Sequence, residues 1–182
     1  MILHAIHADK TFGESGIKGR IIVKSPDTDV LIICIHYFPS MQHTQELWFH
    51  TGSITNTKMG VFIPVHSICS ILNPVLCNIL PAAHAITGCD STSSLFGIDK
   101  RTVFKVLKDS PENFRDLSIL ADCDTDKSID AARKLVCRLY DQKEKLKEDH
   151  VDLNKLRVRL ATLRDACFKQ TNKIIKKKQT CQ

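Results

Sequence analysis

Two aspartates, Asp27 and Asp29, have a spacing that suits the binding of a divalent cation. In an extended backbone, residues i and i+2 point to the same side, so these carboxylates would lie close together. Two negative charges 4 Å apart repel by about 4 kcal/mol at an effective dielectric of 20. A cation that prefers oxygen ligands, such as Mg²⁺ or Mn²⁺, removes that repulsion. The pair alone is a weak signal, because 15 of the 182 residues are Asp.

The strand before this pair would position it. Arg20–Lys24 is a β-branched run between a glycine and Ser25, the pattern of a buried strand. Ligand sites of open α/β sheets form beyond the carboxyl ends of their strands. Asp27 and Asp29 follow such an end, so we expect them at a ligand-binding edge.

The remaining pattern predicts an α/β layer followed by a helical C-terminal region. Glu46–His50 and Met59–Val65 are predicted strands, Val30–Tyr37 fits a strand or a helix, and Thr11–Gly19 fits a loop. The predicted helices are His66–Leu72, Val75–Ala85, Arg101–Lys108, Pro111–Leu120, Ile129–Tyr140 and a long one within Val151–Ile175.

The basic character of the chain lies in its C-terminal third. Residues 1–132 hold 11 Lys and Arg against 14 Asp and Glu, whereas residues 133–182 hold 15 against 6. This asymmetry fits either an anionic partner or a solubilising helical face. The helix within Val151–Ile175 could pack on the domain, pair with a helix of a protein partner, or lie along nucleic acid. Both sets of alternatives stay open at the level of sequence.

Cysteine usage and hydropathy indicate the cellular compartment. The eight cysteines are scattered and form no C-x-x-C pair, so we expect small buried hydrophobes rather than zinc ligands or disulfides. No apolar run approaches the roughly 18 residues that span a bilayer, and Met1 opens no secretory signal. We therefore expect an intracellular protein, in the nucleus or the cytoplasm, with no membrane partner.

Ordered motifs surround the aspartate pair. They are Ser25–Leu31 (S-P-D-T-D-V-L), Leu47–Gly52, Ile63–His66, His84–Ser93 with its G-C-D, and the hairpin Gly97-Ile-Asp-Lys100. By these motifs the sequence resembles flap endonucleases and XPG-like relatives in the PIN-like nuclease superfamily. It is most similar to an asteroid-like group of uncharacterised proteins, some of them transposon-associated. The resemblance implies a partial PIN-like, three-layer α/β domain over residues 1–140. From charge and helical spacing, residues 141–182 are predicted to form a basic helical extension and a frayed tail.

The resemblance also implies a site and a chemistry. In the family, carboxylates bind two metal ions that align a water with a phosphodiester. The matching positions here are Asp27, Asp29 and Asp90, as catalytic and metal-binding residues for Mg²⁺ or Mn²⁺. His84 and His66 recur in the pattern and are expected either to support the carboxylates or to form capping and core hydrogen bonds.

The hairpin implies a surface for nucleic acid, with DNA preferred over RNA. The candidate phosphate-binding residues lie at or near the start of a helix and are Lys100, Arg101, Lys105 and Lys108. The alternative is that they are solvated charges on the helix surface. The sequence departs from the family at Asp99, where the family has a second glycine. This puts a carboxylate where DNA phosphate should approach.

Further acidic ligands of the family belong to segments that precede the position matched by Met1. Three carboxylates are too few to position two ions. The sequence therefore predicts a nuclease-like domain that is truncated or inactive as it stands. The alternative is a non-catalytic module of the same ancestry that binds nucleic acid or protein.

Overall fold

A computed structural model of the chain describes residues 1–52, 60–121, 125–141 and 152–162. Its three strands are β1 (Gly19–Lys24), β2 (Thr44–Thr51) and β3 (Val61–Pro64). Its helices are α1 (Ile2–Glu14), α2 (Thr28–Tyr37), α3 (Val65–Ile71), α4 (Pro74–Ile86), α5 (Lys100–Asp109), α6 (Thr125–Tyr140) and α7 (153–162), with 3-10 segments at Phe38–Ser40 and Pro111–Ala121. The predicted mixed α/β class is confirmed.

The sheet brings the ends of two strands to one edge. Its order is β1-β2-β3, with β1 parallel to β2 and β2 antiparallel to β3. Val23 of β1 lies opposite Phe49, which lies opposite Ile63 of β3. Just past β1, the Ser25 N–H donates to the carbonyl of His50 at 3.1 Å, which extends the pairing to the segment that carries the acidic pair.

The structure corrects the sequence prediction in one segment and decides between two alternatives in another. The predicted loop at Thr11–Gly19 is wrong at its start, because α1 continues to Glu14. Within this turn the Thr11 hydroxyl donates to the carbonyl of His7 at 3.1 Å. The ambiguous segment Val30–Tyr37 is helical, since Asp27 caps a helix that begins at Thr28. Part of the predicted helix within Val151–Ile175 lies outside the described residues.

The apolar core lies on one face of the sheet. Leu47 and Phe49 are fully buried there and pack in one cluster with residues of α2, α3, α4, α5 and α6. On the opposite face Ile22 is 57% exposed and Phe62 is 52% exposed. The helices α2 to α6 therefore pack against one sheet face.

Asp9 ties α1 to the start of β2. Its buried carboxylate accepts hydrogen bonds from the backbone N–H groups of Gln42 (3.2 Å), His43 (2.9 Å) and Thr44 (2.6 Å), and from the Thr44 hydroxyl (2.7 Å). Burial raises the pKa of this carboxyl, but the hydrogen bonds together outweigh burial and hold the pKa below its ordinary value. Asp9 is therefore a structural carboxylate with its acceptor sites occupied.

The described part of the extension packs on the domain. Leu156 of α7 is buried against Cys137 of α6, with Leu153 and Leu160 beside them. Within the described residues no single helix is long and apolar enough to cross a membrane. The helices α3 and α4 pass that test only as a pair, and they are bent by 114° at their junction.

Candidate metal centre

The acidic pair lies at the first turn of α2. Asp27 has an extended backbone (φ −90°, ψ 123°), and its Oδ1 accepts a hydrogen bond from the Asp29 N–H at 2.8 Å. The Asp27 N–H in turn donates to Oγ of the buried Ser25 at 3.2 Å. The S-P-D-T-D run therefore stops the strand, caps the helix and turns both carboxylates toward the sheet edge. This leaves Oδ2 of Asp27 outside the capping bond.

A tight turn after α4 carries Asp90. Gly88 adopts φ +105°, and a Cβ there would lie 2.6 Å from Cα of Ser94, so only glycine suits this position. Thr92 closes the turn, because its Oγ1 accepts from the Cys89 N–H at 3.0 Å and donates to the carbonyl of Ala85 at 2.6 Å. The Thr92 hydroxyl therefore joins the Asp90 turn to the end of α4.

The structure brings the three predicted carboxylates together. One ligand atom from each of Asp27, Asp29 and Asp90 lies within 4.8 Å of the others. Asp27 and Asp90 are exposed and Asp29 is half-buried. Within the described ranges this is the one group of three or more His, Cys, Asp or Glu side chains with such geometry. Residues 61 positions apart in the sequence therefore meet at one point.

The donor set fits a hard cation. Two oxygens that bind one Mg²⁺ at about 2.1 Å are at most about 4.2 Å apart. The observed span exceeds this by less than an ångström, which a small rotation of the exposed carboxylates can close. All three ligands are carboxylates, the type that Mg²⁺, Mn²⁺ and Ca²⁺ prefer. The cluster can therefore hold a metal ion, with water completing its coordination.

His84 directly contacts the cluster. It lies in the last turn of α4, and its Nε2 is 2.6 Å from Oδ1 of Asp29. A carboxylate only accepts hydrogen bonds, so Nε2 carries the proton of this bond. The bond fixes the plane of the Asp29 carboxyl group and occupies one of its oxygens. Of the two histidines singled out in the sequence, His84 is the one that reaches the carboxylates.

His66 has other partners. Its Nδ1 lies 3.0 Å from the carbonyl of Leu47, and its ring contacts Trp48 edge-on at a centroid distance of 5.1 Å. These contacts hold the start of α3 against the middle of β2. His66 therefore has the packing and hydrogen-bonding role that was the alternative to supporting the metal site.

Lys100 is exposed, and its ammonium makes hydrogen bonds to the end of α4. Its ammonium donates to the carbonyl of His84 at 3.0 Å, to the Thr87 hydroxyl at 3.1 Å and to the carbonyl of Gly88. These carbonyls belong to the end of α4, where backbone acceptors lack helical partners. Burial lowers the pKa of Lys100, and this effect is opposed by Cys89 and Asp29. Sequence spacing gave no sign of this anchoring, which joins the start of α5 to the acidic centre.

The other predicted phosphate ligands lie on the surface of α5. Arg101, Lys105 and Lys108 are all exposed. Asp99 does not face this surface as a free carboxylate, because it is the N-cap of α5 and accepts from the Thr102 N–H at 2.7 Å. Hydrogen bonding from Thr102 lowers the pKa of Asp99. The carboxylate at position 99 therefore has a local structural role as the cap of α5.

Comparison of the chain with protein-family models, with curated proteins and with solved structures gives no match in any of the three. The chemistry of the site therefore has to be argued from its own residues.

Proposed function

We propose that this chain is a nuclease-like domain that binds Mg²⁺ or Mn²⁺ and acts on nucleic acid, with PIN-like ancestry. The observation that carries the proposal is the convergence of Asp27, Asp29 and Asp90 from two separate segments within 4.8 Å. These three residues are also the carboxylates of the motifs by which the sequence resembles the PIN-like nucleases. DNA is the preferred substrate class, by resemblance to flap endonucleases.

The number of carboxylates limits how many metal ions the site can bind. Three carboxylates suffice for one hard cation whose remaining positions are filled by water, and two-metal catalysis needs additional ligands. A bound divalent ion supplies Lewis-acid stabilisation of a phosphate and a more acidic water. As it stands, the 182-residue chain should bind one ion and cleave a phosphodiester weakly or not at all.

The residues of the chain prepare the site for that ion. Asp27 caps α2 through Oδ1, which keeps its side chain at the sheet edge. His84 donates to Oδ1 of Asp29 and holds the carboxyl group in one orientation. Lys100 places a positive charge near Asp29 without an ion pair to it, so the carboxylate stays accessible. We assign His84 and Lys100 as positioning residues.

Metal titration tests this proposal. Calorimetry or Mn²⁺ electron paramagnetic resonance should detect one ion per chain, and an ion at 100 times its Kd should stabilise the fold by about 2.7 kcal/mol. Asp29→Asn should abolish both effects, and His84→Ala should weaken affinity by about tenfold. Asp116→Asn, an exposed carboxylate in the 3-10 segment, is the matched control and should behave as wild type.

A cleavage assay on single-stranded and branched DNA adds the second readout. Activity that needs Mg²⁺ or Mn²⁺ and disappears in Asp27→Ala would establish a nuclease. If Asp29→Asn and Asp116→Asn bind Mn²⁺ equally well, the proposed site is wrong.

A second candidate function is a non-catalytic nucleic-acid-binding module. The observation that favours it is the exposed row of Arg101, Lys105 and Lys108 on α5. Binding of this kind should fall steeply with salt and should not depend on divalent ions. Affinity that is unchanged by salt excludes this candidate.

A further inference from the structure

We propose that Phe96 and the outer face of α5 bind single-stranded nucleic acid, with Phe96 and Phe104 stacking on bases. The α5 strip is defined as Arg101, Phe104, Lys105 and Lys108. This inference rests on the proposed function for the nearby carboxylates, but it concerns residues that the metal site does not use.

Phe96 is an aromatic ring held out in solvent. It is 91% exposed, the highest value among the large hydrophobic side chains of the described residues. Its neighbours Leu95 and Ile98 are half-buried and pack on the core. A solvated ring between two packed side chains is not explained by folding, because burying it would stabilise the protein.

The backbone beneath this ring is fixed. The Tyr140 hydroxyl donates to the carbonyl of Phe96 at 3.0 Å, and the Ile98 N–H donates to the carbonyl of Leu95 at 3.2 Å. Gly97 completes the turn with φ +73°. A ring on a fixed backbone loses little conformational entropy when a ligand covers it. This is the property of an anchor for a flat, apolar surface.

The α5 strip places a second ring among positive charges. Arg101, Phe104, Lys105 and Lys108 are spaced i, i+3, i+4 and i+7 and are all exposed, so they share one face of the helix. Phe104 is 38% exposed, whereas Val103 and Leu107 on the other face are buried. Cations interleaved with an aromatic ring suit a ligand that carries both phosphates and bases.

The strip is continuous with the acidic centre. The Ser94 backbone lies against Gly88, and Gly88 precedes Asp90 by two residues. Phe96 follows Ser94 by two residues. At the other end of this segment, Lys100 joins the start of α5 to the carbonyls of His84 and Gly88. The segment that carries Phe96 and leads into the strip is therefore attached at both ends to the turn that carries Asp90.

Stacking selects the single strand. In a duplex the base faces are already stacked on one another and only edges and phosphates are available, whereas unpaired bases can cover an aromatic ring. A duplex ligand would use the cations and leave both rings in solvent. An apolar protein partner would use the rings and leave the cations without a role.

Fluorescence anisotropy with the full chain tests the inference. The probe is a labelled oligothymidylate of about 15 nucleotides, with and without its complement, in EDTA so that no divalent ion contributes. Wild type should prefer the single strand. Phe96→Ala should weaken its binding by about tenfold, and Phe96→Tyr should restore it. Ile71→Ala, at another exposed apolar side chain at the end of α3 (83% exposed), is the control and should leave affinity unchanged.

Two further measurements separate stacking from charge. A 2-aminopurine base in the probe should be quenched by wild type and quenched less by Phe96→Ala. Arg101→Gln should reduce the dependence of log affinity on log salt by about one phosphate contact, whereas Phe96→Ala should leave that slope intact.

The inference is wrong if duplex binds as tightly as single strand, if no oligonucleotide binds, or if Phe96→Ala and Ile71→Ala have equal affinities. Its failure is distinguishable from failure of the metal site. In EDTA, Asp29→Asn should keep the preference for single strand over duplex, and Phe96→Ala should still bind Mn²⁺.

Discussion

Two regions of this molecule hold carboxylates at opposite ends of the sheet, and they differ in what surrounds the charge. Asp9, beside the start of β2, accepts four hydrogen bonds and is buried. Asp27, Asp29 and Asp90, beyond the end of β1, lie close to one another, and His84 donates to only one of them. The negative charge of Asp9 is balanced by donors of the chain itself. The acidic centre has fewer donors than it has charge, so a cation from solution can complete it.

Removal of the Asp9 carboxylate gives the largest expected effect on stability. Asp9→Ala deprives the Thr44 N–H and hydroxyl of their acceptor in a buried place, and should lower the free energy of unfolding by about 3 kcal/mol. Thermal unfolding should then shift downward by about 6–12 °C for a chain of this size.

Asp29→Ala, measured in EDTA, is the matched comparison at the other end of the sheet. Removing one of three mutually repelling charges should leave stability within about 1 kcal/mol of wild type. Equal losses for Asp9→Ala and Asp29→Ala would mean that the two regions do not differ in the way described.

The turn that carries Asp90 gives an intermediate effect. Gly88→Ala introduces a Cβ that would lie 2.6 Å from Cα of Ser94 at a left-handed φ, so the backbone of the turn must shift. We expect a loss of about 2 kcal/mol in unfolding free energy and weaker Mn²⁺ binding, because Asp90 moves with the turn. Gly16→Ala, at φ +65° with nothing within 4 Å of the added Cβ, is the control for backbone strain alone. Unchanged Mn²⁺ affinity in Gly88→Ala would argue against Asp90 as a ligand.

The pH dependence of stability is a smaller effect than those expected for Asp9→Ala and Gly88→Ala. The pKa of Asp9 is lowered in the folded state, so between its folded and unfolded values the unfolded chain binds more protons and stability rises with pH. The contribution of this carboxylate is complete above the ordinary value of 3.8 and is lost as the pH falls through the folded value.

Urea unfolding of wild type and Asp9→Asn at several pH values measures this effect. The difference in unfolding free energy between them should be constant near neutral pH and should narrow below pH 3.8. A difference that widens in acid would contradict the hydrogen-bonding account.

The sequence predicted the acidic centre better than the fold around it. Asp27 and Asp29 follow a strand end and begin a helix, which places them at one edge of the sheet. Asp90 follows α4, and only the resemblance of its motif predicted it as a partner of that pair. The role of Asp9 was not predicted, because its partners lie more than 30 residues away and have no pattern of their own. The hydrogen bonds from Lys100 to the carbonyls of His84 and Gly88 were likewise not predicted, because these partners lie 16 and 12 residues earlier in the chain.

Helix boundaries show the same division between local and distant causes. The predicted loop began too early, before the end of α1, because a glycine such as Gly13 usually destabilises a helix. In the structure the His43 ring packs on Gly13, where an added Cβ would lie 2.6 Å from it. By contrast, α5 begins one residue before its predicted start, since Asp99 is a cap whose partner is three residues away. Contacts that are local in the sequence could be predicted from it, and those made by packing could not.

The exposed sheet face has a consequence for the behaviour of the chain in solution. Ile22 and Phe62 project from the two outer strands of the described sheet, beside backbone edges of the kind through which sheets aggregate. Lys24, exposed at the end of β1, supplies the charge that discourages such pairing. Because salt screens that charge, purified protein should self-associate more readily as concentration and ionic strength rise.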